Sequence, residues 1–345
     1  MSTKVVGVDF GRDSLRGVEV VDPGSARPKV VRYHEIALPE GAVRSGEVRE
    51  LHTVASSLKR LWAEGGFSTK RVVLGMGNQR VLARELTVPK LSAKQIKDSL
   101  PFQVQDLLPV PVADAILDFY PVSEGVSENG PVVHGLLIAA LKEAVLANVT
   151  AVRLAKLEPV EVDLIPFALT RLLTTRDDPE TVALIDVGGT TTTVVIATGG
   201  VPGFVRIIPA GGDDLTAALA SRLQVTLDEA EQLKRTVGMP ANPADAEEHR
   251  IAEASYASVG ELLVGLRNTL TYFVSQHPQS PISRIVLTGR GARMPGIPDA
   301  LHELSRIPVV SAEPLARVEL HKFTPSAEQT AGMTVALGLA LGSAA

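Results

Sequence analysis

Two short segments of this chain carry the same arrangement of chemically useful residues. Gly7 to Arg16 reads GVDFGRDSLR and Asp186 to Val194 reads DVGGTTTTV, and each passes from an apolar strand through an aspartate and a glycine turn to hydroxyl or charged side chains. A strand ending in Asp-x-Gly can present backbone amides to phosphate oxygens and a carboxylate to hydrated magnesium. Two of them predict a pair of loops closing on one nucleotide phosphate tail. In the first, Asp9 ends the strand, Gly11 lets the backbone turn, and Arg12, Asp13, Ser14 and Arg16 follow within reach of phosphate. Arginine can pair with phosphate oxygens in a bidentate way. In the second, Gly188 and Gly189 leave amides free, and Thr190, Thr191 and the threonines after them place hydroxyls on both faces of the next strand. Either loop alone is an ordinary turn; the repetition gives the pair its meaning.

Two further segments fit the same ligand. Arg284 to Ile297, RIVLTGRGARMPGI, predicts a strand followed by Gly289-Arg290-Gly291-Ala292, where glycines allow a flat base to lie against the main chain. In AEQLKR, Ala230 to Arg235, Glu231 and Lys234 share one helical face at i,i+3 and could hydrogen-bond ribose or base.

The elements that must position these residues alternate between strand and helix. Val5 to Asp9, Gly17 to Val21 and Val30 to Ala37 read as an opening meander, followed by helical spacing from Val48 to Glu64 and a strand from Arg71 to Met76. A second series starts at Thr181, with strands over Val182–Val187, Thr191–Thr198 and Val205–Pro209. Strand, Asp-Gly turn, strand, turn, strand and helix thus occur twice, which predicts two mixed sheets covered by helices. Between the halves the texture changes. Strand patterns at Arg80–Pro89, Ala115–Val122 and Val132–Ala140, an amphipathic helix over Ser92–Leu107, a polar loop over Glu124–Gly130 and a helical stretch over Lys142–Leu157 predict a small inserted α/β domain over 78–160.

Composition narrows the classes. With 345 residues, 45% of them hydrophobic, the chain can bury a core large enough for two domains. A net charge of −5 argues against a dedicated nucleic-acid binder. Without cysteine there is no disulfide, thiolate metal site or cysteine nucleophile, and the seven histidines are scattered with no HxxxH-type pair. The start carries no secretory pattern, and the most apolar stretches, Val132–Leu141 and Thr330–Ala345, fall short of the roughly 20 apolar residues that cross a bilayer. The expectation is a cytoplasmic protein without direct membrane insertion, reaching the inner face of the membrane through partners.

The order of these signals resembles the actin-like ATPase superfamily and, within it, the bacterial type IV pilus assembly PilM family, over essentially the whole chain. IPAGGDDLTAAL at Ile208–Leu219, PFQVQDLLPVPVADAILDFYPV at Pro101–Val122 and TPSAEQTAGMTVALGLAL at Thr324–Leu341 carry the resemblance. It implies an actin-like (ribonuclease H-like) two-domain α/β fold with duplicated mixed sheets. The first subdomain would span 1–77, completed by 161–178 and a C-terminal helix over 325–345; the inserted domain would span 78–160 and the second actin-like domain 179–324. It also implies ATP and magnesium as ligands. Asp9, Gly11, Ser14 and Arg16 map to the first phosphate motif, and Asp186, Gly188, Gly189, Thr190 and Thr191 to the second. Gly211, Gly212, Glu231, Lys234, Gly289, Gly291 and Arg293 map to the nucleoside side. Magnesium would be held mainly through water by Asp9 and Asp186.

Arg12-Asp13 and Arg16 stand where relatives usually carry small hydroxyl residues and a lysine. Ile165 stands where many carry a glutamate able to orient the attacking water, which predicts ATP binding with slow or negligible turnover; Asp163 and Gln103 are the candidate substitutes. The family's partner is a PilN-like inner-membrane protein, whose N-terminal peptide lies in a groove between the first domain and the insert. Leu100, Phe102, Val104, Leu107, Leu108 and Val110 are the groove candidates here. Two other readings of the superfamily are a small-molecule kinase, for which no carboxylate stands out as base, and an FtsA-like or secretion-system scaffold. The expected absence of an amphipathic tail and of a membrane span weighs against the scaffold.

Overall fold

A computed structural model describes residues 2–44 and 46–342. The first sheet opens with β1 (Lys4–Phe10), β2 (Ser14–Val21) and β3 (Lys29–Ala37), an antiparallel meander. A small hairpin of β4 (Val43–Arg44) and β5 (Glu47–Val48) leads to α1 (Leu51–Gly65), which buries Val54, Ala55, Leu58 and Leu61 and ends at Gly66 in the left-handed region. β6 (Arg71–Met76) then pairs parallel with β1. Val5, Val6 and Val8 of β1 have no solvent exposure, the pattern of a central strand covered on both faces.

The insert consists of β7 (Val81–Pro89), α2 (Ala93–Gln103), β8 (Ala115–Ser127) and β9 (Gly130–Leu141), with strand order β7-β9-β8. Ser92 and Gln95 form a capping box at the start of α2, and Pro101 in its last turn accompanies its end at Gln103, short of the predicted Leu107. The predicted loop over 124–130 is mostly strand, because β8 and β9 stay paired out to Ser127 and Gly130.

The insert also ends earlier than the pattern suggests. The next helix, α3 (Lys142–Leu154), buries Ala151 and Val152 in one core with Leu58 and Leu61 of α1. After it, β10 (Glu158–Leu164) joins the edge of the first sheet beside β6. Residues 142–160 therefore belong with the first sheet, and the inserted unit stops at Leu141. Periodicity identifies the buried face of α3 but not which sheet that face meets.

α4 (Ile165–Leu173) leads to the second sheet, built from β11 (Thr181–Val187), β12 (Thr192–Thr198) and β13 (Val201–Ile208), and later β14 (Ile282–Thr288) and β15 (Val309–Ser311). Its order, β13-β12-β11-β14-β15, reproduces the β3-β2-β1-β6-β10 of the first sheet, with the same antiparallel and parallel pairings. α5 (Gly212–Leu223), α6 (Leu227–Thr236), the 31-residue α7 (Ala246–Gln276) and α8 (Ile297–Ser305) accompany it. The chain then returns to the first sheet: β16 (Glu319–Leu320) pairs with β3 inside the stretch expected to belong to the second domain. It closes with α9 (Ala327–Gly342), while residues 343–345 of the expected C-terminal helix lie outside the described residues.

Helices α4 and α9 join the halves. α9 buries Met333 and every residue from Val335 to Ala340, so it is apolar all round, as a helix enclosed on all sides must be. It lies so close to β1 that a Cβ on Gly7 would come 1.9 Å from the Ala336 carbonyl oxygen, and so close to α4 that one on Gly338 would come 2.4 Å from that of Ala168. The insert's other face packs on the same core, with Tyr120 against Phe167 of α4 at 4.7 Å between ring centroids.

Gly7→Ala should therefore cost roughly 3 kcal/mol of stability, since backbone must move to admit the methyl. Gly260→Ala on α7, where nothing lies within 4 Å of the new atom, should be neutral or stabilising by up to about 1 kcal/mol. Thermal or urea denaturation of the two variants checks the contrast; equal losses would contradict the packing described.

Candidate functional site

The ends of β1 and β11 face one another across a cleft of about 420 Å³. Both loops make the same turn. The Gly11 amide donates to the Ser14 carbonyl at 2.9 Å, and the Gly188 amide to the Thr191 carbonyl at 2.9 Å. A Cβ at either glycine would lie within 3 Å of that carbonyl, so the turn excludes side chains at both positions for the same reason. α5 is docked on the second loop, its Gly212 and Asp213 amides donating to the Gly188 and Gly189 carbonyls at 2.8 Å each.

All but three of the ligand residues read from the sequence line this cleft; the exceptions are Ser14, Gly211 and Arg293. Ser14 is buried and accepts a 2.7 Å hydrogen bond from Arg16, so it positions the arginine instead. Gly211 lies behind the second loop, where a Cβ would come 2.4 Å from the Gly189 carbonyl oxygen. Arg293 closes a short 3-10 turn (Gly291–Arg293) and is exposed; its neighbour Arg290 faces the cleft.

At one end, Lys234 is buried and its Nζ donates to the Gly212 carbonyl at 2.9 Å and Thr216 Oγ1 at 2.7 Å, while pairing with Glu231 at 2.5 Å. Glu231 also accepts from Thr216 and Arg235. Burial alone would raise the Glu231 pKa, but hydrogen bonds from Lys234, Thr216 and Arg235 outweigh it and hold the carboxylate below its usual range. Beside Lys234, Gly212 and Gly291 meet closely, a Cβ on the former reaching 3.3 Å from the Cα of the latter. Gly289 has φ +91° and its Cβ would strike the Val187 carbonyl oxygen at 2.4 Å. Glycine is thus required where the two glycine-rich segments converge, and the wall they form is flat backbone.

The other end holds an ion network that the motifs did not disclose. Arg16 on β2 faces Asp9 on β1 in the strand register and pairs with it at 3.0 Å, and with Glu35 on β3 at 3.1 Å. From the second domain, Arg290 donates to both Glu35 oxygens, at 2.7 and 2.5 Å, and the Tyr33 hydroxyl donates to Glu35 at 2.9 Å. Burial pushes Glu35 up, but Arg16 and then Arg290 outweigh it and hold it below the ordinary carboxylate range. Burial would lower Arg16, yet Asp9 and Glu35 raise it. A second contact crosses the cleft at the phosphate loops, from Arg12 to Asp213 at 2.6 Å. Arg290 could have been found from its place between two glycines. Glu35 faces Arg16 across the β2–β3 ladder, but its second arginine, Arg290, is 255 residues away and leaves no local signal.

Among the described residues Asp186 has no such partner. Burial and the nearby Asp9 charge push its carboxyl up to about 7, with Arg16 offsetting part of the effect. Among the described residues no group of three or more His, Cys, Asp or Glu side chains is placed to hold a metal directly. Ile165 lines the cleft beside Gly75 and Gly77. The substitutes considered for a water-orienting group are engaged elsewhere: Asp163 accepts from Arg171 at 3.0 Å and from the Leu164 amide at 2.7 Å, and Gln103 donates to Ser99 on α2.

On the insert, the six partner candidates divide. Leu100 and Val104 have no exposed surface and form the core between α2 and the insert's sheet, with Leu108 packed against them. This corrects the reading of the six as one surface patch. Phe102 is 79% exposed and Leu107 40%, with Val110 half-buried. Helical spacing separates them: Leu100 and Val104 share the inner face of α2 and its cap, and Phe102 lies opposite.

Duplicated sheets, two apolar linking helices and paired Asp-Gly loops around one cleft define an actin-like protein. The chain belongs to the family described as type IV pilus assembly protein PilM, whose model matches residues 7–344. A solved PilM-PilN type IV pilus biogenesis complex is similar at a TM-score of 0.84 and 28% identity, over 99% of this chain and 98% of that one. The structure of MreB5 of Spiroplasma citri bound to ADP shares the fold at a TM-score of 0.53 and 13% identity, over 97% of this chain and 94% of that one. Cell division protein FtsA of Bacillus subtilis (strain 168) is 22% identical over 227 residues, 58% of this chain and 51% of FtsA, so the chain spans about half the length of that curated relative. No helix of the described residues is long and apolar enough to cross a membrane.

The raised Asp186 carboxyl has a sign that can be measured. The folded chain keeps this proton to about pH 7, whereas the unfolded chain releases it near pH 4. The unfolded state therefore binds fewer protons between those values, and this group lowers stability as pH rises through them. Asp186→Asn should raise the melting temperature of the ligand-free protein by a few degrees at pH 8 and by less at pH 5. Melting curves at the two pH values check it; a gain that did not grow with pH would contradict the account.

Proposed function

We propose that this chain is an ATP-binding adaptor of type IV pilus assembly, held at the inner face of the cytoplasmic membrane by docking on the N-terminal peptide of a PilN-like membrane protein. The observation that carries the nucleotide part is the identical turn made by Gly11 and Gly188 at two strand ends facing one cleft. The glycine wall of Gly212, Gly289 and Gly291 suits a flat base, and Glu231 with Lys234 suits ribose or base hydroxyl and amine groups. Arg12, Arg16 and Arg290 supply positive charge at the other end. That combination fits a nucleoside polyphosphate. Magnesium would supply charge neutralisation for the phosphates, with Asp9 and Asp186 holding it through water. For both acids that means a change of partner, since Asp9 is held by Arg16 and Asp186 retains its proton to about pH 7.

The partner part rests on likeness over the whole chain to the PilM of a PilM-PilN complex. Phe102 and Leu107 are the exposed apolar groups of the predicted set, and extended peptides gain affinity by burying such anchors. Ile165 brings a hydrocarbon to the cleft wall where a water-orienting group would serve hydrolysis, which favours binding over turnover.

Calorimetric titration with the N-terminal peptide of a PilN-like protein, with and without magnesium-ATP, tests the docking. Phe102→Asp should weaken peptide binding at least about 10-fold and leave ATP binding unchanged; no peptide binding in either nucleotide state would refute the adaptor reading. ATP turnover in a contaminant-free preparation should stay below about 0.01 per second. A rate a thousand times higher would refute the role given to Ile165.

A further inference from the structure

Arg12 stands in the first phosphate loop, and its partner Asp213 stands 201 positions later in the first turn of α5. Their 2.6 Å contact joins the two sides of the cleft, as the Glu35–Arg290 and Arg235–Glu328 pairs also do, but it differs from them in having both partners on the cleft lining. Glu35 of the Glu35–Arg290 pair does not line the cleft, whereas Arg12 and Asp213 both do. The Asp213 carboxylate also lies on the second loop: a Cβ on Gly189 would come 3.1 Å from its Oδ2. One negatively charged group thus lies against Gly189 of the second loop and pairs with the arginine of the first.

Helix capping does not explain this carboxylate. The neighbouring Asp214 accepts the Gly211 amide at 2.8 Å and completes the capping interaction of α5. Nor is the pair buried for packing, since the Arg12 and Asp213 side chains remain 46% and 35% exposed. An exposed pair of this kind holds its partners weakly enough to exchange.

We propose that Asp213 is an internal competitor for the phosphate end of the cleft, so that an entering polyphosphate takes Arg12 from it, and the pair thereby sets selectivity for nucleotides that carry a phosphate chain. The proposal rests on the nucleotide reading above. A ligand shifts this exchange only by what it adds over the contact it replaces. A polyphosphate offers Arg12 several charged oxygens in a bidentate arrangement. A nucleoside monophosphate held at the glycine wall by the same base and ribose contacts has no phosphate chain to offer Arg12, and on this proposal gains nothing from its release. Asp213 is then a positioning residue that holds Arg12 in the resting protein and acts on the ligand only through that arginine.

Calorimetry of wild type, Asp213→Asn, Arg12→Gln and the double variant with magnesium-ATP and with AMP tests this, with thermal melting to verify that each is folded. Asp213→Asn should tighten ATP binding about 5-fold and leave AMP unchanged. Arg12→Gln should weaken ATP about 10-fold, again without moving AMP, and the double variant should match Arg12→Gln alone because Asp213 acts through the arginine. The proposal is overturned if Asp213→Asn leaves ATP affinity unchanged or weakens it, if AMP and ATP shift together, or if the double variant gains affinity as Asp213→Asn does. Wild-type protein that binds ATP in those cases leaves the nucleotide reading standing. Wild-type protein that binds neither ligand refutes both.

Discussion

The two backbone-to-backbone approaches of α9 determine where everything else can be. Gly7 brings β1 against α9 at Ala336, and Gly338 brings α9 against α4 at Ala168. Because the first helix lies on one sheet and the second leads into the other, these contacts set the separation between the halves. Close-packed interiors do not deform continuously, so the strand ends meet at one spacing. The cleft is a consequence of that spacing: Asp9 and Asp186 end equivalent strands of equivalent sheets, and they face each other because the sheets do.

Bringing two like carboxylates together beneath loops meant for anions is electrostatically unfavourable, and the two halves resolve it differently. Asp9 is neutralised by Arg16, its neighbour across the β1–β2 ladder. Asp186, without such a neighbour, has its carboxyl pushed up to about 7 by burial and by the Asp9 charge. The asymmetry follows from the residue after each turn, where the first strand pair has an arginine and the second has threonines. Arg16 is in turn oriented by Glu35, and Glu35 by Arg290 from the opposite domain. A local charge problem in the first sheet thus becomes a bond between domains.

Much of this was legible from local pattern, and what was not has a common cause. The repeated Asp-x-Gly turn is a backbone requirement confined to a few residues, so it shows in the sequence, as do Gly289, Gly291 and the Glu231/Lys234 spacing. The repeated series of strands also disclosed two mixed sheets, though not the order of strands within them. The cross-domain contacts of Glu35 and Asp213 were missed because each is made with a residue more than 200 positions away, and nothing beside either marks that partner. The fate of α3 was missed for the same reason: its apolar stripe is visible, but the stripe fits α1 of the first domain as well as it would fit the insert. Leu100 and Val104 were grouped with Phe102 by shared hydrophobicity. Only the helical phase, carried across Pro101 by the Val104 amide to the Leu100 carbonyl, distinguishes a side chain that fills the insert's core from one that faces water.

The short helix α4 gives the arrangement its remaining logic. Ile165, its first residue, lines the cleft, and Phe167, two residues on, packs against Tyr120 of the insert. Residues two apart on a helix point to different sides, so nine residues contact both the nucleotide-type cleft and the unit proposed to carry the partner. Adjacency of this kind is not coupling: the two sites communicate only if α4 has two positions that each ligand weights differently. The packing around it restricts what those positions can be. With Gly338 against Ala168, α4 cannot shift along its axis without moving α9, and α9 cannot move without β1, whose end is Asp9. A displacement of the insert that reached α4 and carried α9 and β1 with it would act on the first phosphate loop, where the Arg12–Asp213 and Glu35–Arg290 contacts tie the first sheet to the second domain.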